Sequence, residues 1–530
     1  MGAGEASVGK AGTAGRAGWN SSRRLAGIAL LLAAGCLAGC TGGAASVQGR
    51  TSAAARAGSG AGAWRMAQRI PGLRPPADEL GAVACAPGGE CTAIGTLGAG
   101  GLFAITDKNG TWGTMTRIPA SASGEELAST EISCPAAGDC TATGLDVKSQ
   151  PSLTMTIFVA QEANGTWGTP RPLPGIPGIF AFAALGGGVP ITTLACATPG
   201  NCTIAGSYPI ANAPGETGGA FRSFVADDVN GTWRQPAGIP GLPAVSRGGG
   251  SGFSVLSCPA PGYCALAGSY PLPGAAGSAP GTAGSTSNTP ERGYVASEVN
   301  GTWGTAIQVP GATALTTAAG ALNLGALSCS APGDCVAAGN YATSLDTSAP
   351  EHAVIVAESG GTWSAAAALP GMQFLSVIDC PDAGACVAAG KDAHGNAAIV
   401  RETHGRWGTP AEIPGIQALA PPPEKGGTVV TALACPTATT CAVAGDYTVD
   451  DVIDPSNGNR PHQVFLAGEV RGTWGTALVP PGMPTPTIAS YPEFLKLACA
   501  APGNCAAGVL YTGALGAPGN TFITAEVPTR

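Results

Sequence analysis

Sixteen of the eighteen cysteines fall into eight pairs with five residues between the partners: Cys85/Cys91, Cys134/Cys140, Cys196/Cys202, Cys258/Cys264, Cys329/Cys335, Cys380/Cys386, Cys435/Cys441 and Cys499/Cys505. Thiols so spaced either close a disulfide across a tight hairpin or supply thiolates to a metal. Each pair brackets a turn rich in Pro, Ala and Gly, as in CPAAGDC, CATPGNC and CAAPGNC, and two cysteines flanking such a hairpin approach within disulfide distance. Zinc needs four ligands in one place, which eight isolated pairs and only four His do not supply. Eight local disulfides and no metal are expected, each small loop stabilising the fold by ~2 kcal/mol on the chain-entropy estimate.

Other residues with chemical potential are sparse. Tyr208, Tyr270, Tyr341, Tyr447 and Tyr511 recur in equivalent places and are the candidates for stacking on a sugar or a peptide. Buried, the same rings would only cap edges and fill space. Asp450, Asp451 and Asp454 in DDVIDPSNGN form the densest acidic cluster, a weak candidate for Ca²⁺. They lack the alternating spacing of a calcium loop and read better as an exposed acidic loop. His352, His394, His404 and His462 lie in or beside expected turns, and no G-x-S-x-G elbow, H-E-x-x-H helix or phosphate-binding Gly-Lys loop occurs. No catalytic residue can be assigned.

The elements that position these residues follow from a repeat. Trp64, Trp112, Trp167, Trp233, Trp303, Trp363, Trp407 and Trp474 alternate with the Cys pairs. Within one unit from Ala326, small and apolar residues alternate over four short runs bounded by turn residues, which gives an up-and-down sheet of strands A to D. In SEVNGTWGT the Asn300-Gly301 pair suits the two-residue turn that right-twisted strands prefer, so it joins C to D. Stepping outward, Val299 faces Thr302 and Glu298 faces Trp303. An acid stands five residues before every later Trp: Asp107, Glu162, Asp228, Glu298, Glu358, Glu402 and Glu469. It is expected to pin the turn beside an indole packed between blades.

Four strands in a repeat of this length are the signature of a propeller blade. The chain begins with a D strand at Trp64 lacking its C strand and ends with a C strand, TFITAEV, lacking its Trp. The two complete each other. The fold class is therefore all-β: an eight-bladed β-propeller of four-stranded antiparallel blades, its ring closed by pairing the N-terminal strand with the C-terminal blade. The repeated phrase resembles the Asp-box of sialidase-like and BNR propellers. Its acid and Thr match, apart from Arg406 in one copy, while the Gly is displaced and the leading Ser missing. That resemblance implies fold and no activity.

Lys10, Arg16, Arg23 and Arg24 precede the short apolar run Leu25 to Cys40, which reads as an export signal. LAGC at 37–40 resembles the bacterial lipobox and makes Cys40 the expected lipidation site, ahead of Cys36. The expected domains are a signal peptide at 1–39, a lipidated Cys with a flexible Gly/Ala/Ser linker at 40–60, and the propeller at 61–530. Removing 1–39 takes away four basic groups and one acid and moves the formal charge from −8 to −11. No basic patch invites nucleic acid. The whole chain resembles the secreted Cys-pair propeller lipoproteins of high-GC Gram-positive bacteria, which implies an exported protein held on the outer face of the cytoplasmic membrane. A/B and C/D turns are short and uniform, whereas the B/C and D/A connections vary, which marks their face for recognition. The favoured function is a monomeric binding or scaffold propeller recognising a glycan, peptide or protein. The alternative is a carbohydrate-active hydrolase or lyase, sialidase-like, with carboxylates converging on the central channel.

Overall fold

The computed structural model describes residues 63–527 apart from 75–77, 99, 120–125, 149–153, 177–178, 181–190, 211–219, 243–253, 273–289, 318–319, 347–348, 421–426, 450–460, 486–490 and 513–519. The chain divides into units 1–43 and 44–530, and every described residue belongs to the second. Cys36, Cys40, Asp450, Asp451 and Asp454 lie outside the described residues.

Eight antiparallel sheets follow one another along the chain. The A strands of blades 1 to 8 are Glu79–Ala86, Glu126–Ala136, Ile191–Thr198, Ser254–Ala260, Ala321–Ala331, Met372–Asp382, Thr428–Thr437 and Tyr491–Ala501. Each touches the A strand of the next blade, and the eighth returns to the first, so the sheets form a closed ring around their innermost strands. Ala63–Trp64 and Gln68–Arg69 pair with Asn520–Val527, with Trp64 opposite Glu526, and close blade 8 from the two ends of the chain.

The acid and Trp stand opposite each other in all eight blades, as Glu298 does Trp303 and Asp107 does Trp112. Eight hydrophobic clusters fill the eight seams, and each takes in one indole, as Trp167 of blade 2 joins Ile94 and Leu102 of blade 1. The ring is therefore held by its seams, since every 100 Å² of apolar surface hidden there gains roughly 2.5 kcal/mol before chain entropy is counted.

Strand D departs from a simple fourth strand. In blade 4 Thr302–Trp303 pairs with C, Gly304 donates to the Ser297 carbonyl at 2.8 Å, and Ile307–Gln308 pairs again with the register moved by one residue. The same one-residue shift occurs in the other seven blades. An outermost strand has no further neighbour to hold its register, so a bulge there adds the twist the blade needs.

Glycine appears where two chains of backbone meet. A Cβ on Gly339 of strand B would stand 1.9 Å from the Asn323 carbonyl, where strand A shifts register. On the turn face the N–H of Gly301 donates to the Gly262 carbonyl at 2.9 Å, and equivalent bonds tie C/D turn to A/B turn in blades 2 to 7.

Candidate functional site

All eight disulfides are formed, with Cα atoms 3.9–4.1 Å apart across each A/B hairpin. The two partners of a pair are equivalent in spacing but differ in depth. The strand-B partner is buried in every blade: Cys91, Cys140, Cys202, Cys264, Cys335, Cys386, Cys441 and Cys505. On strand A, Cys134, Cys380 and Cys435 are buried, whereas Cys85, Cys196, Cys258, Cys329 and Cys499 are half-buried. The asymmetry has a plain cause, because strand B is paired on both edges and covered by neighbouring blades, while strand A is paired on one edge only. These cysteines are thus part of the seam cores rather than accessible site residues. They staple the turn face and leave the opposite, loop face to the B/C and D/A connections.

The five tyrosines divide on the loop face. Tyr270 is buried against Tyr294, Tyr511 against Phe522 with its hydroxyl donating to Gln463, and Tyr447 in the seam between blades 6 and 7. Burial pushes the Tyr447 hydroxyl up to about 12 and raises that of Tyr511 further. These three rings are wedges. Tyr208 is half-buried on Phe224, and Tyr341 is half-buried at the end of strand B.

Tyr341 lines a cleft of ≈ 200 Å³ at the mouth of the seam between blades 5 and 6. Across the B/C hairpin it meets the exposed His352, ring centroids 5.2 Å apart and planes 32° from parallel. Glu351 stands beside them. Its carboxyl is raised by desolvation, an effect opposed by the charge of Lys391 and a hydrogen bond from Asn340. Pro370, Gly371 and Gln373 complete the far wall. An aromatic face, a carboxylate and an amide around one open cleft can stack on an apolar ring face and bond the hydroxyls at its rim.

The turn face carries a second pattern. Asp107 accepts from Gly110 N–H at 2.7 Å and so pins its own turn, whereas the longer Glu358 and Glu469 reach back to the preceding blade, to Ser297 at 2.5 Å and to Arg401. Asp228 likewise takes Gln161 of blade 2 at 2.7 Å. The partner in each case is the residue just before the preceding blade's own acid, and Ser297 also accepts the Trp363 indole N–H at 2.9 Å. Between blades 3 and 4 that position is Asp227, which cannot donate when ionised. There a cleft opens. The doubled acid of ADDVNGTW is a sequence signal that reading the acid and Trp alone passes over.

On the inner strands the polar groups latch one blade to the next. Ser133, Ser257 and Ser328 accept from the N–H groups of Cys196, Cys329 and Cys380 at 3.1, 3.1 and 3.0 Å. Asp379 accepts from Cys435 N–H at 2.7 Å, and burial still pushes its carboxyl up to about 6. Glu131 of blade 2 and Lys496 of blade 8 meet at 3.8 Å, passing over blade 1, each about a third exposed. Their strands are innermost, so this pair stands at the centre of the ring. Among the described residues no group of three or more His, Cys, Asp or Glu is arranged to hold a metal, and no helix is long and apolar enough to cross a membrane.

These features define an eight-bladed propeller with one disulfide per blade. No protein-family model matches the chain, and no curated protein does. Solved structures with a similar arrangement include a protein of unknown function from Dyadobacter fermentans, at 11% identity and a TM-score of 0.39, covering 87% of this chain and 100% of that one. A polysaccharide lyase, an ulvan lyase, gives 9% identity, a TM-score of 0.39 and coverage of 89% and 96%. The Aleuria aurantia lectin gives 12% identity, a TM-score of 0.30 and coverage of 77% and 97%. Likenesses this loose carry no argument about what the chain binds; the fold rests on its own hydrogen bonding.

Proposed function

We propose that this protein is an extracellular recognition propeller that binds a glycan in the loop-face cleft of Tyr341, His352 and Glu351, and that lipid on Cys40 holds it at the outer face of the cytoplasmic membrane. The observation that carries the reading is the Tyr341–His352 ring pair lining an open cleft. Eight disulfides fit an oxidising compartment, as export requires. LAGC supplies the anchoring residue after a basic and apolar leader. Tyr208 is the second candidate contact on this face.

The other reading, a hydrolase or lyase of extracellular carbohydrate, draws on the raised carboxyl of Glu351. Glycoside hydrolysis by the usual route needs two carboxyl groups flanking the bond, and Glu351 is the single one among the described residues of this cleft. That ranks recognition ahead of a hydrolase, while a lyase, which needs no second carboxyl, is distinguished by the product assay below.

The test is a glycan array probed with protein starting at residue 41, beside Tyr341→Ala, followed by incubation of the bound sugars. Recognition predicts binding without product and at least a tenfold loss in the variant, with an unchanged melt. Binding that survives Tyr341→Ala removes the cleft from the account. Release of product establishes the enzyme, and silence on the array turns the search to peptide and protein partners.

A further inference from the structure

The cleft between blades 3 and 4 lies on the turn face, away from the glycan cleft, and has a volume of ≈ 270 Å³. Asp227, Asp228 and Glu298 line it, with the exposed Arg234 and the turn amides Asn201 and Asn300. Asp228 and Glu298 are 2% and 4% exposed, yet Asp228 Oδ1 and Glu298 Oε2 have no hydrogen-bond partner among the described residues. Asp227 is held by the Thr203 hydroxyl at 2.9 Å. Buried carboxylate oxygens with no donor to accept from are costly, and they mark a place where a donor fits. Asp107, Glu162, Glu402 and Glu469 each keep one such oxygen too, but Glu358 and Glu469 take donors from Ser297 and Arg401 of the preceding blade, whereas the residue in that place beside Glu298 is a third carboxylate, Asp227, on an open cleft.

We propose that this cleft binds a primary ammonium group, presented by a lysine side chain or an amino sugar, with Glu298, Asp228 and Asp227 as its acceptors. An ammonium has three donors and one positive charge, so it answers both the open oxygens and the net negative charge that three carboxylates and one guanidinium leave. A compact ammonium on a flexible stem also enters a narrow seam more readily than a planar guanidinium. This site is independent of the loop-face reading, and either can stand without the other.

Occupancy depends on pH. Desolvation, with the like charge of Asp227, pushes Glu298 up to about 7, against the opposing charge of Arg234; desolvation pushes Asp228 up to about 6 despite hydrogen bonds from Gln161 and Gly231. Tyr263 from the adjoining A/B turn and Glu358 of blade 5 stand on the other side of Glu298, and neither supplies it with a positive charge. Glu298 and Asp228 are therefore ionised at pH 8 and largely protonated at pH 5.

The experiment is calorimetric titration of the protein with Nα-acetyl-lysine methylamide and with glucosamine, at pH 5 and pH 8, with N-acetylglucosamine as the neutral control. Binding of at least one amine at pH 8, tenfold or more weaker at pH 5 and in Asp227→Asn, is the expected result. Arg234→Ala, which removes a competing cation at the rim, should tighten it several-fold. Preference between the two amines tells a peptide from a sugar. Because Asp227→Asn keeps its shape and its Thr203 neighbour, circular dichroism and the melt check that it folds. Absence of binding by both amines, equal binding of the neutral control, or affinity unchanged in Asp227→Asn overturns the proposal.

Discussion

Glu162 shows what a buried acid does to this ring. Desolvation first, and then the nearby charges of Glu90 and Asp139, push its carboxyl from the usual 4.5 up to about 7, while Lys108 opposes them. A group whose folded value is raised stabilises the fold fully below its unfolded value and loses that contribution as pH rises through the folded one. Glu298, at about 7, and Asp228, at about 6, act in the same direction. The melting temperature should therefore fall between pH 5 and pH 8. Glu162→Gln should flatten that slope and gain on the order of 1–2 kcal/mol at pH 8; calorimetric melts of both proteins across this range check it, and parallel curves would count against it. Chain order reveals that such an acid recurs before every repeat Trp after Trp64. It conceals the partners, because Gln161 and Asp228, or Ser297 and Glu358, are 67 and 61 residues apart and meet only when two blades pack. For the same reason the five tyrosines look equivalent in sequence. Tyr270 packs on Tyr294 and Tyr511 on Phe522, and both are buried, while Tyr341 meets the exposed His352 and stays half-buried.

At the scale of the hairpin, sequence and structure agree closely, since the ladder itself dictates the result. Cysteines six apart across a short turn face each other in an antiparallel register, as Cys329 and Cys335 do. Replacing both with Ala should cost about 2 kcal/mol, read as a lower denaturant midpoint with the slope unchanged; no shift would mean that the hairpin is held by its ladder alone. Pairing was legible from spacing, but depth was not, because the burial of Cys335 comes from the neighbouring blade that shares its seam cluster. The C/D turn needs a left-handed first residue, and Asn109, Asn164, Asn230 and Asn300 adopt φ of 50–56° at little cost. Arg471 holds φ 51° in the same place. Arg471→Asn should stabilise blade 7 by roughly 0.5–1 kcal/mol, measured as a rise in melting temperature. The bulge in strand D was not legible in the same way. One inserted residue leaves the alternation of a two-residue pair on either side intact, so the pattern does not reveal it.

For the molecule as a whole, closure is the feature on which the seams depend. Trp64 enters the same cluster as Val464, Leu466 and Tyr511, so the N-terminal strand fills the seam between blades 7 and 8 as well as completing a sheet. Removing Ala63–Gly72 exposes the Asn520–Val527 edge and empties that seam, and the melt should fall by roughly ten degrees or more; an unchanged melt would show that the ring does not need its clasp. A closed, stapled ring of this kind offers a rigid floor on which differing B/C and D/A connections can present a ligand surface. The proposed placement at the cell surface draws on the leader and Cys40, and so rests on sequence.

The most direct measurement is hydrogen–deuterium exchange on the full propeller with and without the sugar selected on the array. Recognition through the loop face predicts slower exchange in the segments around Tyr341 to His352 and Leu369 to Gln373, with the turn-face hairpins unchanged. Protection confined to the turn face, or to the inner strands around Glu131 and Lys496, would contradict the account.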